Sequence, residues 1–209
     1  LEDYKPGDKL IPFKVVGEYK GPDLVGMEYE QLIPWVKPVT VDENGKWQEA
    51  AGQAFRVILG DYVTTEDGTG IVHIAPTFGA DDAKVAKAAG IPSLFIINKA
   101  GETRPMVDLT GKYYTLDDCA PAFAEKCVDI TAYGRHAGDF VKNAYDPRFN
   151  EGGKFDEKTA EKSENLDIIL CMEMKQVGQA FRIEKHVHNY PHCWRTDKPV
   201  LYYPLDSWF

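Results

Sequence analysis

The chain has 209 residues, enough for one sizeable core or two small ones, with hydrophobic and charged fractions of 44% and 27% that are ordinary for a soluble globular protein. No apolar run approaches a membrane span, and Leu1-Glu2-Asp3-Tyr4-Lys5 lacks the character of a signal peptide. A net charge of −9 argues against a broad nucleic-acid-binding face, and four cysteines scattered without a paired framework point to a reducing, cytoplasmic setting.

In chain order, Lys5-Pro6-Gly7-Asp8 reads as a turn and Pro12 to Tyr19 as a strand. Gly21-Pro22-Asp23 punctuates, and Leu24 to Glu30 reads as a second strand or an irregular run. Pro34 and Pro38 make an extended connection around Trp35. Val41 to Gln53 is polar, with Asn44-Gly45 as its turn signal. Phe55 to Leu59 and Tyr62 to Thr64 are predicted strands.

The stretch Asp67 to Ala83 organises the rest and reads as turn, strand, turn and helix start. Gly68 and Gly70 permit a backbone path that side chains would forbid. Ile71 to Ala75 is a short apolar run containing His73, as expected of a buried strand, and Pro76 ends its ladder. Gly79 allows a tight approach, and Asp81 and Asp82 sit where a helix begins. One imidazole in a strand and two carboxylates at its exit can face one small cavity.

Ala80 to Ala89 is predicted helical, opened by acids that suit its positive end and closed by Gly90. Leu94 to Asn98 is a strand turned by Ala100-Gly101. Leu116 to Cys127 contains a helix capped by Thr115 or Asp117. Residues 134–153 read as a long surface insertion. Asp156 to Gln179 has helical spacing, with Leu166, Ile169, Leu170, Met174 and Val177 as its apolar stripe. Phe181 to His188 and Val200 to Tyr203 are the last predicted strands. The composite is a β-rich, mixed α/β domain.

The segment Gly68-Thr69-Gly70-Ile71-Val72-His73-Ile74-Ala75-Pro76-Thr77-Phe78-Gly79-Ala80-Asp81-Asp82 resembles the pattern G-T-G-I-V-H-x-A-P-x-F-G-x-x-D of the editing domain of isoleucyl-tRNA synthetase, a class I aminoacyl-tRNA synthetase. A second stretch, His188 to Arg195, resembles the point where that family's chain returns to its catalytic body, so the resemblance spans essentially the whole chain. It implies the synthetase editing-domain fold, a β-barrel-like core with flanking helices, over residues 1–188, followed by a hinge at 189–209. Both termini read as cut from a longer protein.

The resemblance implies an aminoacyl-tRNA ligase with an aminoacyl-tRNA deacylase (editing) activity. Asp82 would bind the α-ammonium of the aminoacyl group, although a residue in a helix's first turn can equally serve the helix dipole. Asp81 is the weaker candidate. His73 would line the pocket near the amino acid and the terminal adenosine; a lone strand histidine is more often a satisfied, half-buried residue. The turn Gly68-Thr69-Gly70 could bring backbone groups, and the Thr69 hydroxyl, to the substrate. Expected partners are the acceptor end of tRNA(Ile), the valine or isoleucine moiety and the rest of the parent synthetase, with no membrane. No cofactor is expected in this segment; ATP with magnesium belongs to the parent's catalytic body.

His186, His188, His192 and Cys193 invite a zinc reading. Adjacent His-Cys rarely converge on one ion, and where some family members carry a second Cys three residues on, this chain has Thr196, so no metal is expected. A hinge packed by Tyr190, Trp194 and Tyr203 is the better account. The family's Thr-rich strand W-T-T-T-P-W-T, the other wall of the editing pocket, has no counterpart here; Thr64-Thr65 lies in the wrong context. The competing readings are a non-catalytic docking module for the tRNA end, the editing domain of a valyl or leucyl sibling, and a zinc enzyme.

Overall fold

The computed structural model describes residues 12–66, 69–185 and 189–205. The chain divides into two compact units, one drawn from Leu1–Tyr29 and Arg56–Val72, the other from Glu30–Phe55 and His73–Phe209.

The smaller unit has little regular structure. A 3-10 turn covers Gly21–Leu24, its entry fixed by the Asp23 carboxylate, which accepts the Lys20 N–H at 2.8 Å. Glu28 and Arg56 form an isolated antiparallel bridge. The predicted strands at Pro12 to Tyr19, Phe55 to Leu59 and Tyr62 to Thr64 do not form ladders. Alternating apolar residues make a strand possible, but only a neighbouring strand completes it. Among the described residues none pairs with Pro12 to Tyr19, and Phe13 and Val16 are 86% and 93% exposed.

The larger unit holds the core. Strand β1 (Val39–Val41) pairs antiparallel with β2 (Trp47–Glu49) around the predicted Asn44-Gly45 turn, where Asp42 Oδ1 accepts the N–H groups of Asn44 and Lys46. Strand β3 (Phe95–Ile97) pairs antiparallel with β4 (Thr103–Pro105), turned as predicted at Ala100-Gly101. These two-stranded sheets are the only ladders among the described residues; there is no closed barrel, and helices and turns outweigh strands.

Helix α1 spans Ala80–Ala88. It stops in a Schellman motif, Ile91 N–H to Ala86 O and Gly90 N–H to Lys87 O, with Gly90 at φ +68°. The helix predicted in Leu116 to Cys127 is interrupted: a 3-10 turn at Leu116–Asp118 is closed by the Asp118 carboxylate on the Thr115 N–H and hydroxyl, and α2 (Pro121–Cys127) starts afresh at its proline. Phe123 and Cys127 on α2 face inward against β3, Trp35 and Val36. Helix α3 (Ile130–Gly134), capped by Asp129, buries Tyr133, whose hydroxyl donates to Tyr114 O at 2.6 Å.

Residues 134–153 are not a surface insertion. His136, Ala144, Asp146 and Phe149 are buried there, and two short 3-10 turns, Asn143–Tyr145 and Pro147–Phe149, fold the segment onto the unit. The periodic run from Asp156 forms two helices, α4 (Glu157–Lys162) and α5 (Leu166–Gln176), because Asn165 caps a new start on the Ile168 N–H. The Asn143 amide donates to Ala160 O and Glu164 O and holds the break between them. Of the predicted stripe, Leu166 is buried and Val177 is 69% exposed. Phe181 to Lys185 is not a strand, and residues 186–188 lie outside the described residues. Val200 to Tyr203 forms no ladder either. Tyr190 and Tyr145 hydroxyls instead donate to Val200 O and Pro199 O.

Candidate functional site

The organising stretch is divided between the units after Val72. Asp67 and Gly68 lie outside the described residues. In the smaller unit, Thr69 Oγ1 accepts the Ile71 N–H and also contacts Ile71 O, both at 3.3 Å, so the hydroxyl shapes its own turn. Gly70 takes φ +76°, a left-handed backbone path of the kind that side chains disfavour.

In the larger unit, Ile74 to Gly79 departs from the predicted buried strand. His73 to Ala75 is not hydrogen-bonded into a ladder and His73 is exposed. No described strand pairs with this run; Pro76 has no N–H to donate, and the chain turns at once, with Phe78 N–H bonding Ala75 O at 3.0 Å. Two side chains fix this turn. Thr77, 8% exposed, donates its hydroxyl to Leu94 O at 3.2 Å, just ahead of β3. Phe78 meets the Tyr203 ring edge-on, with centroids 6.1 Å apart.

The chain then enters α1 through Gly79, whose carbonyl accepts the Ala83 N–H at 2.8 Å. Asp81 and Asp82 stand in the first turn, as predicted, and Asp81 is exposed. Asp82 is half-buried and turns back: its Oδ2 accepts the Ala75 N–H at 2.9 Å. The carboxylate thus binds the chain two residues beyond His73. Among the described residues no partner is found for Oδ1.

The helix end carries roughly half a positive charge, against a full negative charge on each of two carboxylates, so the net field at this corner favours a cation. Among the described residues this corner contains no nucleophile paired with a base. Two concavities stand out on the described surface, one of about 330 Å³ beside the β1–β2 turn and one of about 240 Å³ bordered by Lys142, Glu157, Asp167 and His192. Neither includes His73 or Asp82.

The other cluster singled out in the sequence is described only in part. His186 and His188 lie outside the described residues, and His192 Nδ1 is 2.7 Å from Tyr190 O. No group of three or more metal-ligating side chains occurs among the described residues. Cys193 is held below the usual thiol range by the Thr196 hydroxyl and by backbone N–H groups. Tyr190 and Tyr203 are partly buried, but Trp194 is 84% exposed, with the Arg195 guanidinium stacked on it at 4.3 Å.

A titratable centre that the sequence reading missed is His136. It is 4% exposed, stacks on Trp35, and lies 3.3 Å from carboxylate oxygens of both Asp139 and Glu173. The Asp139 spacing was visible in the sequence, but Glu173 arrives only through the packing of α5.

No protein-family model matches the chain. Over all 209 residues it is 72% identical to the isoleucine--tRNA ligase of Bacteroides thetaiotaomicron, covering 18% of that protein. It is 56% identical over 206 residues to that of Porphyromonas gingivalis and 38% identical over 197 residues to that of Clostridium acetobutylicum, covering 16% and 13% of them. Similarity at this level over the full chain relates it to part of the aminoacyl-tRNA ligases. More narrowly, it belongs to the isoleucine--tRNA ligase family, where it corresponds to under a fifth of the length of these relatives.

Proposed function

We propose that this segment is the editing domain of an isoleucyl-tRNA synthetase and hydrolyses mischarged valyl-tRNA(Ile), within a parent enzyme that joins isoleucine to tRNA(Ile) using ATP. The observation that carries the reading is the Asp82 carboxylate, folded back at the start of α1 and fixed by the Ala75 N–H beside the segment that bears His73. The resemblance of that segment to the family's editing motif, and the identity to isoleucine--tRNA ligases over the whole chain, support it.

The need for such a step follows from size. Valine lacks one methylene of isoleucine, which is worth only ~1–3 kcal/mol in a binding pocket, and this family is the standing example of that limit. A second site that admits valine and excludes isoleucine supplies the remaining discrimination.

In this reading Asp82 takes the α-ammonium of the valyl group. A carboxylate–ammonium pair 4 Å apart is worth roughly 4 kcal/mol at the effective dielectric of a protein surface region and about 1 in bulk water, so partial burial of Asp82 strengthens the grip. His73, exposed, orients the aminoacyl ester and the terminal adenosine. Water adds to the ester carbonyl. The bond from that carbon to the ribose oxygen breaks, the ribose oxygen takes a proton, and valine and tRNA leave. A free ribose hydroxyl of the tRNA assists the water, so a Ser-His pair is not required. No step passes through ATP or magnesium, which the resemblance assigns to the parent's synthetic body.

The test is Asp82→Ala in the full-length ligase carrying this segment. Valyl-tRNA(Ile) hydrolysis should fall at least tenfold, ~1.4 kcal/mol, while isoleucine attachment continues. Hydrolysis at the wild-type rate removes the assignment. His73→Ala should lose less.

A second reading, a docking module that receives the tRNA end without hydrolysing it, draws on the exposure of His73 and on the two concavities lying elsewhere. Deacylation by the full-length ligase carrying this segment, with Asp82→Ala beside wild type, separates the two: loss of hydrolysis supports the editing reading, and unchanged hydrolysis the docking one.

A further inference from the structure

We propose that Gly79 is a positioning residue for the Asp82 carboxylate, an inference that rests on the amine-binding reading above. The observation is steric. A Cβ built on Gly79 would lie 2.9 Å from both Cγ and Oδ2 of Asp82 and 3.1 Å from its Cβ. Gly79 has φ −133° and ψ 130°, extended backbone that any residue adopts. Its glycine is therefore not explained by a left-handed turn, as Gly90 and Gly101 are, with φ of +68° and +81° and open space around them. What a side chain at 79 would meet is the carboxylate itself.

The missing side chain lets Asp82 fold back across the helix entry and reach the Ala75 N–H. That bond occupies Oδ2 and fixes the carboxylate plane, while Oδ1 has no partner among the described residues and is the atom left for the ligand's ammonium. A methyl group at 79 forces the carboxylate off this position, because the side chain of Asp is short and its atoms cannot move away without swinging χ1. Oδ2 then leaves Ala75, and the charge that should face the amine is displaced. A misplacement of about 1 Å at a reacting centre is known to cost up to ~100-fold.

The test uses Gly79→Ala, Gly79→Ser, Asp82→Ala and the Gly79→Ala/Asp82→Ala double variant of the full-length ligase carrying this segment. Deacylation of valyl-tRNA(Ile) and thermal stability are both measured. We expect Gly79→Ala to lose ~10- to 100-fold in kcat/KM for deacylation, mainly through KM. Gly79→Ser should lose as much, although serine is the better helix cap; recovery with serine would make the position a cap only and overturn the inference. In the Asp82→Ala background, Gly79→Ala should have no further effect on rate and should lower the melting temperature little below that of Asp82→Ala alone, since the two carboxylate atoms at 2.9 Å are gone and only the Cβ contact at 3.1 Å remains. A Gly79→Ala step that destabilises the Asp82→Ala background as much as it destabilises wild type overturns the inference, even if the single variant folds poorly. Wild-type deacylation by Gly79→Ala alongside an impaired Asp82→Ala overturns the positioning role and leaves the amine-binding reading standing. Wild-type deacylation by Asp82→Ala overturns both.

Discussion

The imidazole of His136 lies flat on the indole of Trp35, with ring centroids 4.8 Å apart and planes 22° from parallel. Its two nitrogens reach Asp139 and Glu173, so one side chain joins the core to the 134–153 segment and to α5. His136→Ala removes the stack and both polar contacts, and should cost about 2–4 kcal/mol in a urea unfolding experiment. His136→Phe keeps the stack and should lose less. Equal losses in the two variants would show that the ring contact contributes nothing.

Asp82 has a structural duty and a proposed chemical one, and asparagine separates them. Asp82→Asn retains an oxygen for the Ala75 N–H but loses the charge. Its melting temperature should stay near wild type, whereas Asp82→Ala should cost about 1 kcal/mol for the lost hydrogen bond. Both should lose deacylation. An active Asp82→Asn would show that charge is not what the substrate needs.

Two glycines differ in what they spare the fold. Gly90 has a positive φ and nothing within 4 Å of a built Cβ, so Gly90→Ala should cost only the backbone strain, about 1 kcal/mol. Gly111 also has a positive φ, but a Cβ there would run into the Tyr145 ring. Gly111→Ala should therefore destabilise by clearly more, and Gly111→Ala/Tyr145→Ala should recover part of the difference in a chemical denaturation cycle.

Burial pushes the Tyr145 phenol up to about 12, with the neighbouring Tyr190 adding to the effect. The unfolded chain releases this proton near pH 10 and the folded one later, so the contribution is intact below about pH 10 and is lost as pH rises towards 12. Stability measured from pH 9 to 12 should fall less steeply in Tyr145→Phe than in wild type. Identical slopes would place the phenol in an environment like that of the unfolded chain.

The parts of the fold that were legible in the sequence are those with local causes. Gly90 ends α1, Ala100-Gly101 turns β3 into β4, and Asn44-Gly45 turns β1 into β2, all from short-range backbone chemistry. The acids in the first turn of α1 were equally visible. The predicted strands at Pro12 to Tyr19, Ile71 to Ala75 and Val200 to Tyr203 failed because a ladder needs a partner, which alternation within one run does not specify. In the candidate site the residue types were readable, but the Asp82–Ala75 bond and the clearance above Gly79 were not, since both depend on the path of the turn at Pro76. His136 was passed over because its glycine-rich surroundings suggested surface; its burial comes from Trp35, far upstream in the chain. The split between α4 and α5 could have been read from Asn165, a good cap followed by an apolar run.

Thr77 gives the turn before α1 an address. Its buried hydroxyl is tied to Leu94, on the threshold of β3, so the corner that presents Asp82 inherits its coordinates from the hairpin and not from the exposed chain on either side. Damage deep in that hairpin, such as Ile96→Ala, should consequently register at a distance as a blurred charge, well before the molecule as a whole gives way.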